Sequence, residues 1–313
     1  MNYPETLAWI HGTERFGSRL GLGRMGRLLH RMGDPHLKVP YIHVAGTNGK
    51  GSTTTMIASA LTAGGFKTGK FISPFILEFR ERMQIDGEMI PEETLAALAT
   101  RLRPIAEEFK AAGDPPTEFE LVTVLGLTWF AEASCDIAVL EVGLGGRLDA
   151  TNIIPPPLVA VITRIDYDHT AILGDTLAAI AGEKCGILKR GGTVICYPDQ
   201  EEEALAVIRR RAAEEGDPLI LPDRTVLSVL SADLPASRIL YRGQEIFIPL
   251  PGPHQMLNTI TAVEALNALS SSRFALPPSA IAAGIAAARF PARLELLRQS
   301  PPVLVDGAHN PNG

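Results

Sequence analysis

Cysteine, positive charge and long apolar runs are all scarce in this sequence. Its three cysteines, Cys135, Cys185 and Cys196, are odd in number and show no C-x-x-C spacing, so we expect buried, reduced thiols in a cytoplasmic protein. A formal net charge of −6 argues against a general nucleic-acid or membrane-surface binder, since both usually need a basic face. No apolar stretch reaches the ~20 residues that cross a bilayer, and the N-terminus lacks the pattern of a signal peptide.

The remaining composition is that of an ordinary globular protein. The 313 residues, of which 46% are hydrophobic and 20% charged, suffice for one large domain or two smaller ones. Apolar runs alternate with helical segments, which predicts an α/β fold with a mostly parallel sheet flanked by helices. Beyond Pro218, short alternating runs with polar turns predict a small antiparallel β patch.

Residues 44–53, with the sequence VAGTNGKGST, are organised as a strand end, a glycine-rich turn and the start of a helix. Glycines let several backbone N–H groups face one point, the helix adds its positive end, and Lys50 adds a full charge, so this loop suits a polyphosphate. Ser52 or Thr53 is placed to offer a hydroxyl to Mg²⁺. The standard P-loop pattern has Gly where this chain has Val44, and Ser or Thr where it has Gly51. The alternative is a turn that only joins strand to helix, but the flanking elements favour nucleotide binding.

Three polar residues stand at or just beyond the ends of predicted strands, where ligands gather in open α/β sheets. Ser73 follows the run 67–72, Glu141 lies near the end of 136–142, and His169 follows 158–163. We interpret Ser73 as a candidate metal or substrate contact, Glu141 as a candidate Mg²⁺ ligand and His169 as a candidate metal ligand. The structural alternatives are strand termination at Ser73, an ion pair for Glu141, and a structurally satisfied histidine.

Three further regions carry weaker signals. Residues 143–152 contain three glycines and several polar groups, which predicts a substrate-facing loop. Lys184 falls on a predicted helix, where a solvated lysine is the default interpretation. Arginines cluster between residues 15 and 31, and we expect a solvated basic face there, with the holding of an anionic substrate as the alternative.

Several motifs follow one another along nearly the whole chain: residues 45–52 (AGTNGKGS), 73–74 (SP), 141–152 (EVGLGGRLDATN), 168–169 (DH), 183–184 (EK), 254–258 (HQxxN) and 306–311 (DGAHNP). Together they resemble folylpolyglutamate synthase, including the bifunctional dihydrofolate synthase form, within the Mur ligase superfamily. The phosphate loop alone indicates the superfamily, whereas the 141–152 loop and the 306–311 turn are specific to the folate branch.

This resemblance implies an ATP-dependent acid–amino-acid ligase of folate biosynthesis and one-carbon metabolism. ATP would phosphorylate a carboxylate, and the amino group of L-glutamate would displace phosphate to form an amide. The expected substrate is the γ-carboxyl of a tetrahydrofolate, and dihydropteroate stays open as a second acceptor. The expected partners are folate or dihydropteroate and L-glutamate, with no nucleic acid and no membrane, and a monomer is expected.

The resemblance also implies roles for individual residues. Residues matching the ATP site are Gly46, Thr47, Asn48, Gly49, Lys50, Gly51, Ser52, Thr53, Asn258, Arg293 and the ribose contact Asp306. Residues matching the ligands of two Mg²⁺ ions are Ser52, Ser73, Glu141 and His169. Lys184 matches a lysine that is carbamylated in the family, and His309 matches a residue in the glutamate-side cleft between domains. Lys50, Lys184 and His309 are therefore the expected catalytic residues.

The resemblance further implies two domains. Residues 1–292 would form the ATP-binding domain, and residues 293–313 would begin a Rossmann-like, glutamate-side domain of which the first strand is present. The segment before Arg293 departs from the family in having Ala292 instead of Gly. If the molecule ends at Gly313, we expect impaired ATP binding and lost ligase activity. The alternatives are a nucleotide-binding module made inactive by truncation and another Mur-type ligase.

Overall fold

The computed structural model describes residues 1–13 and 21–308, so Arg15, Arg19 and His309 lie outside the described residues. An eight-stranded sheet runs through the molecule in the order β4-β3-β2-β5-β1-β6-β7-β8. Its strands are β1 (Tyr41–Ala45), β2 (Thr68–Phe71), β3 (Met83–Ile85), β4 (Glu88–Met89), β5 (Ile137–Glu141), β6 (Val159–Ile162), β7 (Thr193–Cys196) and β8 (Leu219–Ile220).

The remaining strands form two small antiparallel sheets, and helices cover the large sheet. The strands are β9 (Leu227–Ala232), β10 (Ser237–Tyr241), β11 (Gln244–Ile248), β12 (Glu295–Gln299) and β13 (Pro302–Val305). The helices are α1 (Tyr3–His11), α2 (Gly23–Arg31), α3 (Lys50–Ala63), α4 (Glu92–Ala111), α5 (Glu118–Glu132), α6 (Thr170–Leu173), α7 (Leu177–Lys184), α8 (Glu202–Glu215), α9 (Pro253–Asn267) and α10 (Pro278–Ala287). None of the helices in the described ranges is both long and apolar enough to cross a bilayer.

Strand β1 lies in the middle of the sheet and pairs in parallel with β5 on one side and β6 on the other. All five of its residues are buried, as expected for a parallel strand covered on both faces. Alternate side chains point to opposite faces, so Ile42 and Val44 pack in the core under α3, α9 and α10, whereas Tyr41 packs in the core under α1, α2, α4 and α5. The phosphate loop follows this central strand directly.

The sequence-based fold class is confirmed, including the antiparallel patch, which is the sheet β9–β10–β11. Two features were not foreseen. The charged segment after Ser73 leads into β3 and β4, which extend the large sheet as antiparallel edge strands. The strand expected near residue 303 has a partner, because β12 pairs with it as an antiparallel hairpin.

Candidate active site

The phosphate loop is held tightly from two sides, which explains two of its glycines. Gly46 has φ +152°, and a Cβ atom there would lie 1.9 Å from the Thr163 hydroxyl. Gly49 has φ +87°, and a Cβ atom there would lie 2.4 Å from Oδ1 of Asn258. Both positions combine backbone angles that favour glycine with no room for a side chain. Packing at these two positions therefore restricts the conformation of the loop.

The amide donors left for a ligand are concentrated at the start of α3. The N–H groups of Thr47 and Asn48 donate to the carbonyl oxygen of Arg164, at 2.8 and 3.2 Å, so these two amides anchor the loop to the end of β6. Helix α3 then starts at Lys50 without a side-chain hydrogen bond at its N-cap. Free N–H groups and the helix dipole at this end favour an anion such as a phosphate.

Two lysines from different elements converge on the loop. Lys50 Nζ donates to the carbonyl oxygen of Thr47 at 3.0 Å, and Lys184 Nζ donates to that of Gly46 at 2.7 Å. Lys184 is only 4% exposed, and its burial, together with the charge of Lys50, lowers its pKa to about 7, whereas Asp168 and Asp149 act in the opposite direction. The lysine that local sequence reasoning treated as solvated is thus a buried amine beside the phosphate loop.

Glu141 closes the site at the end of β5. Its carboxylate is buried and accepts a hydrogen bond from the Ser73 N–H at 3.2 Å. Burial raises its pKa to about 7 against the opposing effects of Lys50, Ser73, Arg293 and Lys70. A buried carboxylate held by one such hydrogen bond is short of partners, which fits a cation ligand.

Ser52 is positioned by a hydrogen-bonded chain from α9. Gln255 Nε2 donates to Ser52 Oγ at 3.1 Å, and Asn258 Nδ2 donates to Gln255 Oε1 at 3.0 Å. All three side chains are buried. Gln255 and Asn258 are three residues apart, so they lie on the same face of α9. Sequence reasoning gave Gln255 no role, although the HQxxN motif contained it.

The oxygen groups near the loop fit Mg²⁺, which prefers carboxylate, hydroxyl and phosphate oxygens. The side chains of Ser52, Ser73 and Glu141 are of this kind. His169 is exposed and lies 3.8 Å from Asp168 through Nε2, at the start of the short helix α6. The described part of the chain has no group of three His, Cys, Asp or Glu side chains that would hold a metal. Few protein ligands are usual for Mg²⁺ bound together with phosphates.

The glycine-rich loop after Glu141 is fixed by buried polar contacts. Asp149 accepts hydrogen bonds from the N–H of Leu144 at 2.9 Å and from the N–H and hydroxyl of Thr151. Because that hydroxyl donates to Asp149, Nε2 of the buried His43 carries a proton and donates to Thr151 Oγ1 at 2.8 Å. Burial raises the pKa of Asp149 and lowers that of His43 to about 3.

The same loop packs against the segment that carries Lys184. The N–H of Arg147 donates to the Glu183 carbonyl oxygen at 2.8 Å, and its guanidinium contacts the Glu183 carboxylate at 2.9 Å. Gly146 and Gly186 lie so close to the opposing backbone that a Cβ at either would come within 2.6 or 2.3 Å of it. These contacts position Lys184 next to the phosphate loop.

A cavity of about 230 Å³ opens beside the site. Ser73 contributes to its lining and also donates its N–H to Glu141, so the cavity and the phosphate site share a wall. Apolar walls come from Phe119, Leu144 and Leu148, and two buried acids, Glu120 and Asp149, also line it. No local pattern in the sequence indicates that Glu120 and Asp149 line one cavity.

The remaining candidates lie near the linker that follows α10. Arg293 stacks on Phe290, with its guanidinium carbon 4.9 Å from the ring centroid. Asp306 accepts from the N–H groups of Leu294 at 2.8 Å and Ala308 at 2.7 Å, which fixes the turn after β13. His309 lies outside the described residues.

Comparisons with known proteins agree with this geometry. Residues 44–266 match the family model of the Mur ligase middle domain. The chain is 40% identical over 320 residues to the dihydrofolate synthase/folylpolyglutamate synthase of Bacillus subtilis, covering 99% of this chain and 74% of that protein. A solved structure described as the apo form of L. casei FPGS superposes with a TM-score of 0.91 at 38% identity, covering 100% of this chain and 78% of that one. An FPGS-AMPPCP-folate complex superposes with a TM-score of 0.90 at 37% identity and the same coverage.

Proposed function

The chain belongs to the Mur ligase family, in its folylpolyglutamate and dihydrofolate synthase branch, and we propose that its phosphate loop and adjoining cavity join L-glutamate to a folate-type carboxylate. The enzyme is an ATP-dependent ligase. The observation that carries the proposal is the position of Ser73, which lines the cavity and contacts Glu141 beside the phosphate loop. A substrate held in the cavity would present its carboxylate to the terminal phosphate of ATP.

The reaction has two steps. A carboxylate oxygen attacks the γ-phosphorus of ATP and releases ADP, and the amino group of glutamate then attacks the acyl phosphate carbon, loses a proton and expels phosphate. Positioning and charge neutralisation supply most of the rate in such phosphoryl transfers. Lys50 and the free N–H groups at the start of α3 are the groups that would hold the phosphates.

Ser52, Ser73 and Glu141 would hold Mg²⁺, with His169 as a further ligand and two ions in the complete site. Bound Mg²⁺ supplies neutralisation of phosphate charge. The burial of Glu141 supports its role, because an ionised carboxylate in that position needs a nearby cation.

We assign Lys184 as the site of a carbamate. Carbon dioxide adds to a neutral amine and not to an ammonium group, and burial lowers the pKa of Lys184 to about 7. An ordinary exposed lysine would be almost fully protonated at neutral pH. The carbamate would turn a buried cation into an anionic oxygen ligand beside Lys50.

The cavity would bind the pterin ring, and dihydropteroate would serve as an acceptor in addition to tetrahydrofolate. Phe119, Leu144 and Leu148 supply apolar walls for a flat ring, and the buried carboxylate of Asp149 is an acceptor for its N–H groups. Asp149 already accepts from Leu144 and Thr151, so its orientation is fixed before a ligand binds.

Asn258, Arg293 and Asp306 would contact the nucleotide, and His309 would act on the glutamate side. Asn258 already packs against Gly49 of the phosphate loop. We retain the division into an ATP-binding domain, residues 1–292, and a glutamate-side domain that begins at residue 293, with a monomer as the working assembly. The hairpin β12–β13 begins just after this boundary.

The test is an assay of phosphate release with ATP, L-glutamate and, in turn, tetrahydrofolate, dihydropteroate or a UDP-muramoyl acceptor. We expect release that needs both glutamate and a pterin, with a product heavier by one glutamyl residue. ATP binding without product would support a nucleotide-binding module instead. Turnover with the muramoyl acceptor alone would assign another Mur-type ligase and overturn the proposal.

A further inference from the structure

We propose that Phe290 is a positioning residue: its ring fills the space beside Gly51 in the phosphate loop and provides the face on which Arg293 stacks. It thereby sets the position of Arg293 relative to the bound nucleotide. The inference rests on the proposed function only in assigning Arg293 to the nucleotide; the contact between Phe290 and Gly51 stands on geometry alone.

The first contact explains why residue 51 is glycine. A Cβ atom at Gly51 would lie 2.6 Å from Cζ and 2.8 Å from Cε1 of Phe290, closer than real side-chain contacts allow. Gly51 lies inside α3 and is not among the glycines with positive φ, so its backbone angles do not require glycine. Space is the constraint. The departure from the Ser or Thr of the standard P-loop is therefore matched by an aromatic ring from a distant part of the chain.

The second contact links the ring to Arg293. Phe290 is 7% exposed, and the guanidinium carbon of Arg293 lies 4.9 Å from its ring centroid. This distance is within the range of a cation–π interaction. The Cβ position of Gly51 also lies 3.4 Å from Oε2 of Glu141. The point beside Gly51 is thus close both to the ring and to the carboxylate assigned to metal binding.

The chain around Arg293 is fixed from the other side as well. Ala292 has φ +52°, its N–H donates to the Glu295 carboxylate at 2.9 Å, and its carbonyl oxygen accepts from the Gly307 N–H at 2.9 Å. A Cβ at Gly307 would lie 2.7 Å from Nη1 of Arg293. Arg293 is therefore confined between the Phe290 ring and the turn that follows β13.

The experiment is a pair of double-mutant cycles read by the Kd for ATP. Gly51→Ala should weaken binding about tenfold or more, because the added methyl displaces the ring. In a Phe290→Leu background the same change should cost about threefold or less, because the ring is gone. Phe290→Leu alone should weaken binding from about twofold to about thirtyfold, the range of a cation–π contact. Arg293→Ala should then add little in that background.

Phe274→Leu is the matched control. Phe274 is also a buried phenylalanine of the same core, and Arg273 lies 4.7 Å from its ring centroid. We expect this variant to lower Tm about as much as Phe290→Leu, to leave the Kd for ATP unchanged, and to be additive with Gly51→Ala.

If Gly51→Ala and Phe290→Leu have additive effects on the free energy of ATP binding, the steric part of the proposal is wrong. If Phe290→Leu and Arg293→Ala have additive effects on it, the positioning part is wrong. If Gly51→Ala does not fold, the cycle of Phe290→Leu and Arg293→Ala still tests whether Phe290 positions Arg293. The ligase reaction is a separate readout: absence of glutamate-dependent phosphate release from the wild-type protein contradicts the proposed function, whereas the two cycles in ATP binding test Phe290.

Discussion

Glu141 at the end of β5 and Glu120 in the first turn of α5 are buried to the same extent, each 4% exposed, yet their surroundings differ. Glu120 accepts from Arg24 Nε at 3.0 and 2.8 Å and from the N–H and hydroxyl of Thr117 at 2.8 and 3.1 Å. Glu141 accepts from the N–H of Ser73 at 3.2 Å and has a raised pKa.

We infer from this difference that Glu120 stabilises the fold, whereas Glu141 is the carboxylate for which we propose a cation ligand. Arg24 joins α2 to α5 through Glu120 and also contacts Asp114, so that carboxylate is compensated by the protein itself. Glu141 has lysines nearby, but its burial still dominates its pKa. Poorly compensated buried charge is a mark of functional sites, and here it lies beside the phosphate loop.

The largest effect should come from Glu141→Gln. We expect glutamate-dependent phosphate release to fall by about 10²–10³-fold, the usual cost of losing one group that stabilises charge in the transition state. Tm at neutral pH should be unchanged or higher, because glutamine carries no charge to desolvate. Steady-state kinetics and thermal unfolding measure the two quantities. A large loss of Tm with little loss of rate would mean that Glu141, like Glu120, mainly stabilises the fold.

Glu120→Gln should give the opposite result in stability. Removing the carboxylate breaks the buried ion pair between Glu120 and the Arg24 guanidinium, which costs about 3 kcal/mol. Denaturant unfolding of Glu120→Gln and Glu141→Gln, each compared with the wild type, measures this cost. An unfolding free energy equal to that of the wild type would mean that the Arg24 pair is dispensable.

The pH dependence of two variants sharpens the comparison within the phosphate site. The folded pKa of Lys184, about 7, is below its ordinary value of 10.5, so the folded state bears the full cost of a buried ammonium below pH 7, and this cost fades as the pH rises toward 10.5. Lys184→Met should therefore raise Tm most below pH 7. The folded pKa of Glu141, about 7, is above its ordinary 4.5, so its cost is absent below pH 4.5 and full above pH 7.

Thermal unfolding of both variants from pH 5 to pH 9, in buffer free of carbon dioxide, checks these opposite slopes. The gain in Tm for Glu141→Gln should grow from pH 5 to pH 7 and then stay level, whereas that for Lys184→Met should stay level up to pH 7 and shrink above it. Parallel slopes would show that burial does not set the pKa of one of these groups. Added bicarbonate should reduce the difference between Lys184→Met and the wild type at neutral pH, if a carbamate forms.

The smallest effect is expected for Asp114→Asn. Asp114 and its partner Arg27 are 37% and 58% exposed, and exposed ion pairs contribute up to about 1 kcal/mol. Comparing the unfolding free energies of this variant and Glu120→Gln separates the contribution of the buried Arg24–Glu120 pair from that of the more exposed Asp114. A loss of unfolding free energy as large as that of Glu120→Gln would mean that Asp114 contributes as much to stability as Glu120.

Part of the site could be predicted because its signals are local. Glycines, Lys50 and a strand–turn–helix order identified the phosphate loop, and Ser73 and Glu141 followed from their positions at strand ends. Lys184 and Arg24 could not be assigned in this way. A lysine or arginine on a helix has the same local pattern whether it is solvated or buried, and only packing against Gly46 or Glu120 distinguishes the cases.

Local patterns were enough to predict most strands and helices in chain order and the location of the phosphate loop, because hydrophobic periodicity, capping and glycine placement act within a few residues. The exceptions include β3, β4 and β12. Which side chains meet depends on how distant segments pack. Phe290 against Gly51 and Gln255 against Ser52 join segments far apart in the chain, and no local pattern encodes such a contact. The physical reason is that burial and charge compensation are properties of the packed molecule.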